Sequence, residues 1–248
     1  MSKKILISVG HGKNSYGKYD SGAVSKDGKY QEHKIAREIA KYAAEYLCCE
    51  IINYKGDLSL PERIKKVNML LPDFAAEIHL NAGGGTGTET FYYHGSPTGK
   101  KAAEKICKNI AEEFKVKNRG SKVRLNSNGK DYFGFIRQTK PCAILIETLF
   151  IDCPADLEKI KTKDGMKKCG EAIGKALEDM FAEKENQIVT AGSISVKRGA
   201  GDEYEKIKFL KKGDKFITSI TSYDGKWIKL KDGGWIKNKN GYRKENTK

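Results

Sequence analysis

The stretch Phe74–Gly85, FAAEIHLNAGGG, decides how this chain is read. An apolar run delivers one histidine, His79, and then breaks into glycine. That is the pattern of a buried strand whose end opens into a loop. Two other stretches repeat it: Lys4–Gly12, KILISVGHG, ends in His11, and Pro141–Thr148, PCAILIET, ends in Glu147. In open α/β sheets, ligands bind beyond the carboxyl ends of the strands. Three strand ends carrying His, His and Glu form a constellation, and it reads as a zinc hydrolase site.

From Glu32 the period turns helical, with Ile35, Ala36, Ile39, Ala40, Ala43, Tyr46 and Leu47 recurring at i, i+3, i+4 and i+7. Glu32 lies three and four residues before Ile35 and Ala36, so it extends the apolar stripe toward the core. His33, rotated about 100°, shares a face with Arg37 and Lys41 and is expected at the surface. Gly12–Tyr30 is polar and glycine-rich, hence a loop. Glu50–Tyr54 reads as a strand, and Ser59-Leu-Pro-Glu62 as a capping box opening a helix to about Leu71. A strand over Glu89–His94 and a helix from Ser96-Pro97 to Phe114 follow. Lys115–Asp131 is basic and reads as an exposed loop, Phe133–Arg137 and Ala143–Glu147 as strands. Pro154 sits at a helix start, and Met166–Phe181 is a final amphipathic helix. Strands alternating with helices over 1–183 predict an α/β domain with a mainly parallel sheet.

After the polar stretch 182–186, AEKEN, the pattern changes to short β-type runs: Ser193–Lys197, Tyr204–Phe209, Lys215–Ser222, Trp227–Leu230 and Gly234–Lys237. Gly-Asp and Asp-Gly turns separate them. The expected organisation is a first domain over 1–183, a linker over 184–190, and a small all-β barrel over 191–248. A barrel of that size gains little stability from its core alone.

Hydrophobic content of 38% and charged content of 32% describe a globular chain with a polar surface. No run approaches 18 apolar residues, so no transmembrane helix and no membrane insertion are expected. The N-terminus MSKKILISVGHG runs directly into His11 and reads as strand rather than signal peptide, which predicts synthesis in the cytoplasm. Six cysteines without a CxxC pair are expected to be reduced and mostly buried. Net charge is +15 (47 Lys and Arg against 32 Asp and Glu), a field that concentrates polyanions. The three-residue basic runs are too short and scattered to point to nucleic acid.

Two histidines and one carboxylate on zinc leave a fourth position for water, whose pKa falls to roughly 7. His11, Glu32 and His79 are the candidate ligands. Glu147 is the candidate to take the proton from that water and hand it to a leaving amine. Following Ala-Ile-Leu-Ile, its carboxyl is expected to be partly desolvated, which raises its pKa. Taken singly, each residue reads equally well as a hydrogen-bonded structural group. The Gly83–Gly87 loop lacks the Lys-Ser/Thr of a phosphate-binding loop and reads as a flexible cleft rim. His94 has no obvious partner and reads as structural.

VGHG with Asp20-Ser-Gly22, Glu32 opening a helix, EIHLNAG, and PCAILIETLFIDCPAD together resemble the motif blocks of the zinc-dependent N-acetylmuramoyl-L-alanine amidases of the amidase-3 type. The resemblance covers roughly residues 4–180, in the family's order. It implies a mixed, mostly parallel sheet flanked by helices. It also implies hydrolysis of the amide between the lactyl group of N-acetylmuramic acid and L-Ala of the peptidoglycan stem. Matched position by position, His11, Glu32 and His79 correspond to the zinc ligands and Glu147 to the catalytic glutamate. Leu149 stands where the family often has Gly and is expected to reshape the cleft wall. Cys153-Pro154 stands where it often has Asn-Pro, and cysteine is the poorer cap.

Asn81 and Arg137 are the candidate substrate contacts, Arg137 by a bidentate bond to a stem-peptide carboxylate; an exposed structural arginine is the other reading. The C-terminal block is similar to bacterial SH3-like (SH3b) domains, which commonly bind cell walls. Residues 187–248 carry 15 Lys and Arg against 7 Asp and Glu, a net +8. Trp227, Trp235, Tyr204 and Tyr223 offer stacking surfaces to wall sugar or peptide, or else form the core. A wall-degrading domain without a signal sequence suggests a phage endolysin acting after release, with a host autolysin exported by another route as the alternative, and with peptidoglycan and anionic wall polymers as its partners. The competing readings are a non-catalytic wall-binding protein and a zinc peptidase cutting elsewhere in the stem.

Overall fold

The computed structural model describes residues 3–181, 186–189, 192–222, 224–238 and 242–245. From β1 (Ile5–Val9) the chain passes through two short strands, β2 (Gly12–Lys13) and β3 (Tyr19–Asp20), into helix α1 (Glu32–Leu47). It continues as β4 (Glu50–Ile52), α2 (Leu60–Leu70), β5 (Phe74–Asn81), β6 (Thr88–Tyr92), α3 (Pro97–Phe114) and β7 (Asn118–Lys122). Then come α4 (Gly134–Gln138), β8 (Cys142–Phe150), α5 (Pro154–Ile160) and α6 (Lys163–Phe181). Six strands form one sheet in the order β4-β1-β5-β8-β6-β7. Every neighbouring pair is parallel except β6 with β8. The fold is thus mixed α/β with a mostly parallel sheet flanked by helices.

The burial of β1, at every residue, and of β5, at all but its last, explains why their sequences are near-continuous apolar runs. Leu6, Ala75 and Ala143, near the amino ends of their strands, pack with Ile64 and Val67 of α2 and Phe135 of α4. α2 opens on the expected capping box, the Glu62 carboxylate accepting from the Ser59 N–H and hydroxyl. Strand register then aligns the polar positions at the carboxyl ends. Ser8 lies opposite Glu77, and Glu147 has His79 on one side and Glu89 on the other. Because residues i and i+2 share a face, that face changes from apolar to polar between Leu6 and Ser8 of β1, Ala75 and Glu77 of β5, and Leu145 and Glu147 of β8.

Three expectations are corrected here. Residues 133–137 are not a strand: Phe133 caps α4, and the adjacent Phe135 and Ile136 are both buried, which an extended chain would send to opposite faces. One turn and a half is too short for a period to declare itself. The basic segment 115–131 contains strand β7, a polar edge strand beside β6; edges tolerate such sequences because one side stays open. Part of the expected linker 184–190 is strand β9 (Asn186–Val189), which pairs with the 215–217 segment.

The described residues form two compact units, one of Ile5–Tyr46 with Glu50–Leu177, the other of residues 3–4, Leu47–Cys49 and the described residues from Glu178 onward. The second unit continues from β9 with β10 (Ile194–Lys197), β11 (Lys206–Leu210), β12 (Lys215–Thr221), β13 (Trp227–Leu230), β14 (Trp235–Lys237) and β15 (Tyr242–Glu245). They form an antiparallel sheet in the order β11-β10-β14-β13-β12-β9-β15. Val196, Leu210, Phe216, Ile228, Leu230 and Ile236 form its apolar core. Trp227 and Trp235 are 5% and 3% exposed. Both are core residues, which corrects their expected role as wall-binding platforms: a unit this small needs its largest apolar side chains inside. Tyr204 is exposed, and Tyr223 lies outside the described residues. No helix among the described residues is long and apolar enough to cross a membrane.

Candidate metal centre

His11 follows β1 in the left-handed region, φ 57°, a conformation that needs support in a non-glycine residue. Its carbonyl accepts from Asn53 Nδ2 at 2.7 Å and Arg63 Nη1 at 3.2 Å. The His11 ring is fixed at both nitrogens: Nδ1 meets Asp20 Oδ2 at 2.9 Å and Nε2 meets Glu32 Oε1 at 3.2 Å. Glu32, in the first turn of α1, is buried; its Oε2 accepts from the Ala23 N–H at 2.8 Å and its Oε1 from the Leu80 N–H at 3.1 Å. At the end of β5, His79 presents Nδ1 to Glu32 Oε1 at 2.9 Å and Nε2 to Glu77 Oε2 at 3.1 Å. One donor atom each from His11, Glu32 and His79 lie within 4.8 Å of one another.

Two glycines leave room for this cluster. A Cβ at Gly10 would fall 2.2 Å from His79 Cε1, and one at Gly22 would fall 2.5 Å from Glu32 Oε2. The electrostatics follow from the same contacts. Burial works against the Glu32 charge, yet His11 and His79 hold its carboxyl well below the usual carboxylate range. Burial also lowers His79, but Glu32 and Glu77 outweigh it and lift the ring to about 10. His11 is raised by Glu32 and Asp20 against its own burial.

Glu147 behaves in the opposite sense. Burial lifts its carboxyl to about 7; the nearby His79 pulls down, while Glu32 and Glu89 push up. Its Oε2 is buried without a hydrogen-bond partner among the described residues. An orphaned buried carboxylate oxygen calls for an explanation, and a reacting water or metal-bound group supplies one. Glu89 stays ionised between Arg119 Nε (2.6 Å), Lys122 Nζ (2.5 Å) and Asn81 Nδ2 (2.7 Å). A cavity of about 450 Å³ opens beside the cluster, its lining including His11, Asp20, His79, Leu60, Phe133 and Leu145.

The remaining candidates lie as follows. Asn81 is engaged with Glu89. Arg137 sits in a separate cavity with His94 and Lys130, its Nη1 tied to the carbonyls of Asp131 and Tyr132; the structure does not bring it to the metal cluster. His33, expected at the surface, is 2% exposed and its Nδ1 bonds the Gly10 carbonyl at 2.8 Å. A helical wheel omits the Gly12 and Gly56 backbone that covers this ring. His94 does have a partner, Asp131, at 2.7 Å. The glycine rim is tethered rather than loose: Asp152 accepts from the Gly83 and Gly84 N–H groups, and Asp156 from Thr86 and Gly87. Leu149 is fully buried, so it does not shape an open cleft wall. Cys153 caps α5 without a side-chain bond. Of the six free cysteines, Cys107 and Cys169 are buried and the other four are partly covered. Asp20, Arg63, Glu77 and Glu89 complete the surroundings of the cluster. Glu77 is the one that strand period alone could have found, two residues before His79.

Two imidazoles and a carboxylate gathered at one end of a mostly parallel sheet, with a neutralisable carboxyl beside them, form the kind of hydrolase-type centre that suits one divalent metal. The N-acetylmuramoyl-L-alanine amidase family model matches residues 5–179, and the chain belongs to that family of peptidoglycan hydrolases. The sporulation-specific N-acetylmuramoyl-L-alanine amidase of Bacillus subtilis (strain 168) is 28% identical over 201 residues, 79% of this chain and 74% of that protein. Among solved structures, Cwp6 from Clostridium difficile is 36% identical with a TM-score of 0.66, covering 73% of this chain and 29% of that one. The catalytic domain of the CD27L endolysin targeting Clostridia difficile is 28% identical with a TM-score of 0.56, covering 70% and 96%.

Proposed function

We propose that the chain cleaves the amide between the lactyl group of N-acetylmuramic acid and L-Ala with one zinc ion held by His11, Glu32 and His79. The observation carrying this is the convergence of His11 Nε2, Glu32 Oε1 and His79 Nδ1, with the second ring nitrogens engaged by Asp20 and Glu77. Nitrogen and oxygen donors in that number suit zinc and leave a position for water. When bound, the metal lowers the pKa of water to about 7 and polarises the amide carbonyl. Glu147 accepts the proton of the attacking water and returns it to the leaving L-Ala nitrogen, a role that a carboxyl near pKa 7 fills at neutral pH.

The second unit is assigned to the wall as an SH3-like binding module. The net +8 of residues 187–248 favours anionic wall polymers, and exposed Tyr204 is its remaining described aromatic candidate. Likeness to an endolysin catalytic domain supports a phage-encoded role, the protein reaching the wall after release from the cytoplasm. Digestion of defined muropeptides, read by mass spectrometry, tests the bond assignment. Free L-Ala amino termini without new reducing ends support it; cuts within the stem peptide reject it in favour of a peptidase. Clearing only after the membrane is opened tests the route of release.

A further inference from the structure

We propose that Arg63 and Glu77 are a positioning pair that fixes the His79 ring so that Nδ1, not Nε2, faces the metal. This rests on the zinc reading above and concerns which ring nitrogen serves it. Strand period puts Glu77 and His79 on one face, two residues apart. Glu77 is 1% exposed and both its oxygens are committed: Oε1 accepts from Arg63 Nε at 2.8 Å and Ser8 Oγ at 3.1 Å, while Oε2 meets His79 Nε2 at 3.1 Å. A neutral imidazole has one N–H. Given to Glu77, it leaves the Nδ1 lone pair toward Glu32 and the His11 ring.

Arg63 does more than neutralise Glu77. It is 4% exposed, comes from α2, and its Nη1 also donates to the His11 and Leu58 carbonyls. One guanidinium therefore supports the backbone of one candidate ligand and the carboxylate behind the other. Without Arg63, Glu77 would be a buried, unpaired charge next to His79, free to turn toward a metal itself. Carboxylates behind metal-bound histidines fix tautomer and orientation, and their loss costs 10- to 100-fold in metal affinity.

The test uses the full chain labelled at histidine nitrogen and loaded with zinc. In the wild type, the His79 imidazole signals are expected to report a protonated Nε2 and a metal-bound Nδ1. Glu77→Gln keeps the shape but weakens the acceptor; competition against a chromophoric chelator is expected to show 10- to 100-fold weaker zinc binding with unchanged circular dichroism. Arg63→Met is expected to weaken zinc similarly. Zinc on His79 Nε2 in the wild type overturns the proposal even if neither variant folds, as does Glu77→Gln with wild-type affinity and His79 signals. A wild-type chain that holds no zinc overturns the metal reading and this one together.

Discussion

Gly10→Ala puts the packing around His79 to a direct test. The added methyl would lie 2.2, 2.4 and 2.6 Å from His79 Cε1, Nε2 and Nδ1, where carbon contacts settle at about 3.5–4.0 Å. The ring would have to retreat by more than about 1 Å at the contact. It cannot do so and keep both Nδ1 near Glu32 (2.9 Å) and Nε2 near Glu77 (3.1 Å). Gly10 lacks a positive φ, so the backbone itself accepts alanine and the effect reports the ring. Overpacking alone predicts a loss of about 1–3 kcal/mol in stability. Displacement of one ligand predicts at least a ~100-fold loss in zinc affinity, which removes about 2.7 kcal/mol of zinc-dependent stabilisation at a fixed excess of metal. Thermal unfolding with and without zinc, together with chelator competition, measures the two separately. A variant that binds zinc as the wild type does would refute the claimed closeness of Gly10 to His79.

Glu147→Gln is expected to keep zinc and fold yet lose about 10²–10⁴-fold in kcat on muropeptides; full activity would remove Glu147 from the reaction. In the metal-free chain the Glu147 carboxyl titrates near 7, above its ordinary 4.5, so the folded state holds a proton that the unfolded state has released. Its contribution to stability therefore falls as pH rises from about 4.5 through 7, and Glu147→Gln should flatten that part of the pH–stability curve. His79, lifted to about 10, is protonated at pH 7 and must shed a proton to bind zinc. Calorimetry in buffers of different ionisation enthalpy should show about one proton released per zinc from this ring, and affinity should drop as pH falls; binding without proton release would contradict the site. Trp235→Ala in the C-terminal unit is expected to cost about 3–5 kcal/mol, visible as unfolding of that unit by near-UV circular dichroism. A variant with intact stability and lost wall binding would instead return Trp235 to the binding surface.

The sequence by itself determined the α/β class and the order of the long elements, because buried strands and amphipathic helices write their periods into residues 4–9, 32–47 and 74–81. It also marked His11, Glu32, His79 and Glu147, since each stands where an apolar run or stripe meets a polar boundary. Tertiary structure decided what no period encodes. Phe135 and Ile136 belong to one short turn of helix, and Asn118–Lys122 is a strand only because β6 offers it an edge. His33 is buried by the backbone of Gly12 and Gly56, and the two tryptophans fill a core too small to spare them. Above all, Arg63 and Asp20 take on meaning only when strand alignment and loop closure bring them to His11, and Glu89 only when the antiparallel β6–β8 pairing sets it beside Glu147. Pairwise contacts between residues far apart in the chain, such as Ser8 with Glu77 across 69 positions, are fixed by how strands align, and alignment is a property of the folded sheet.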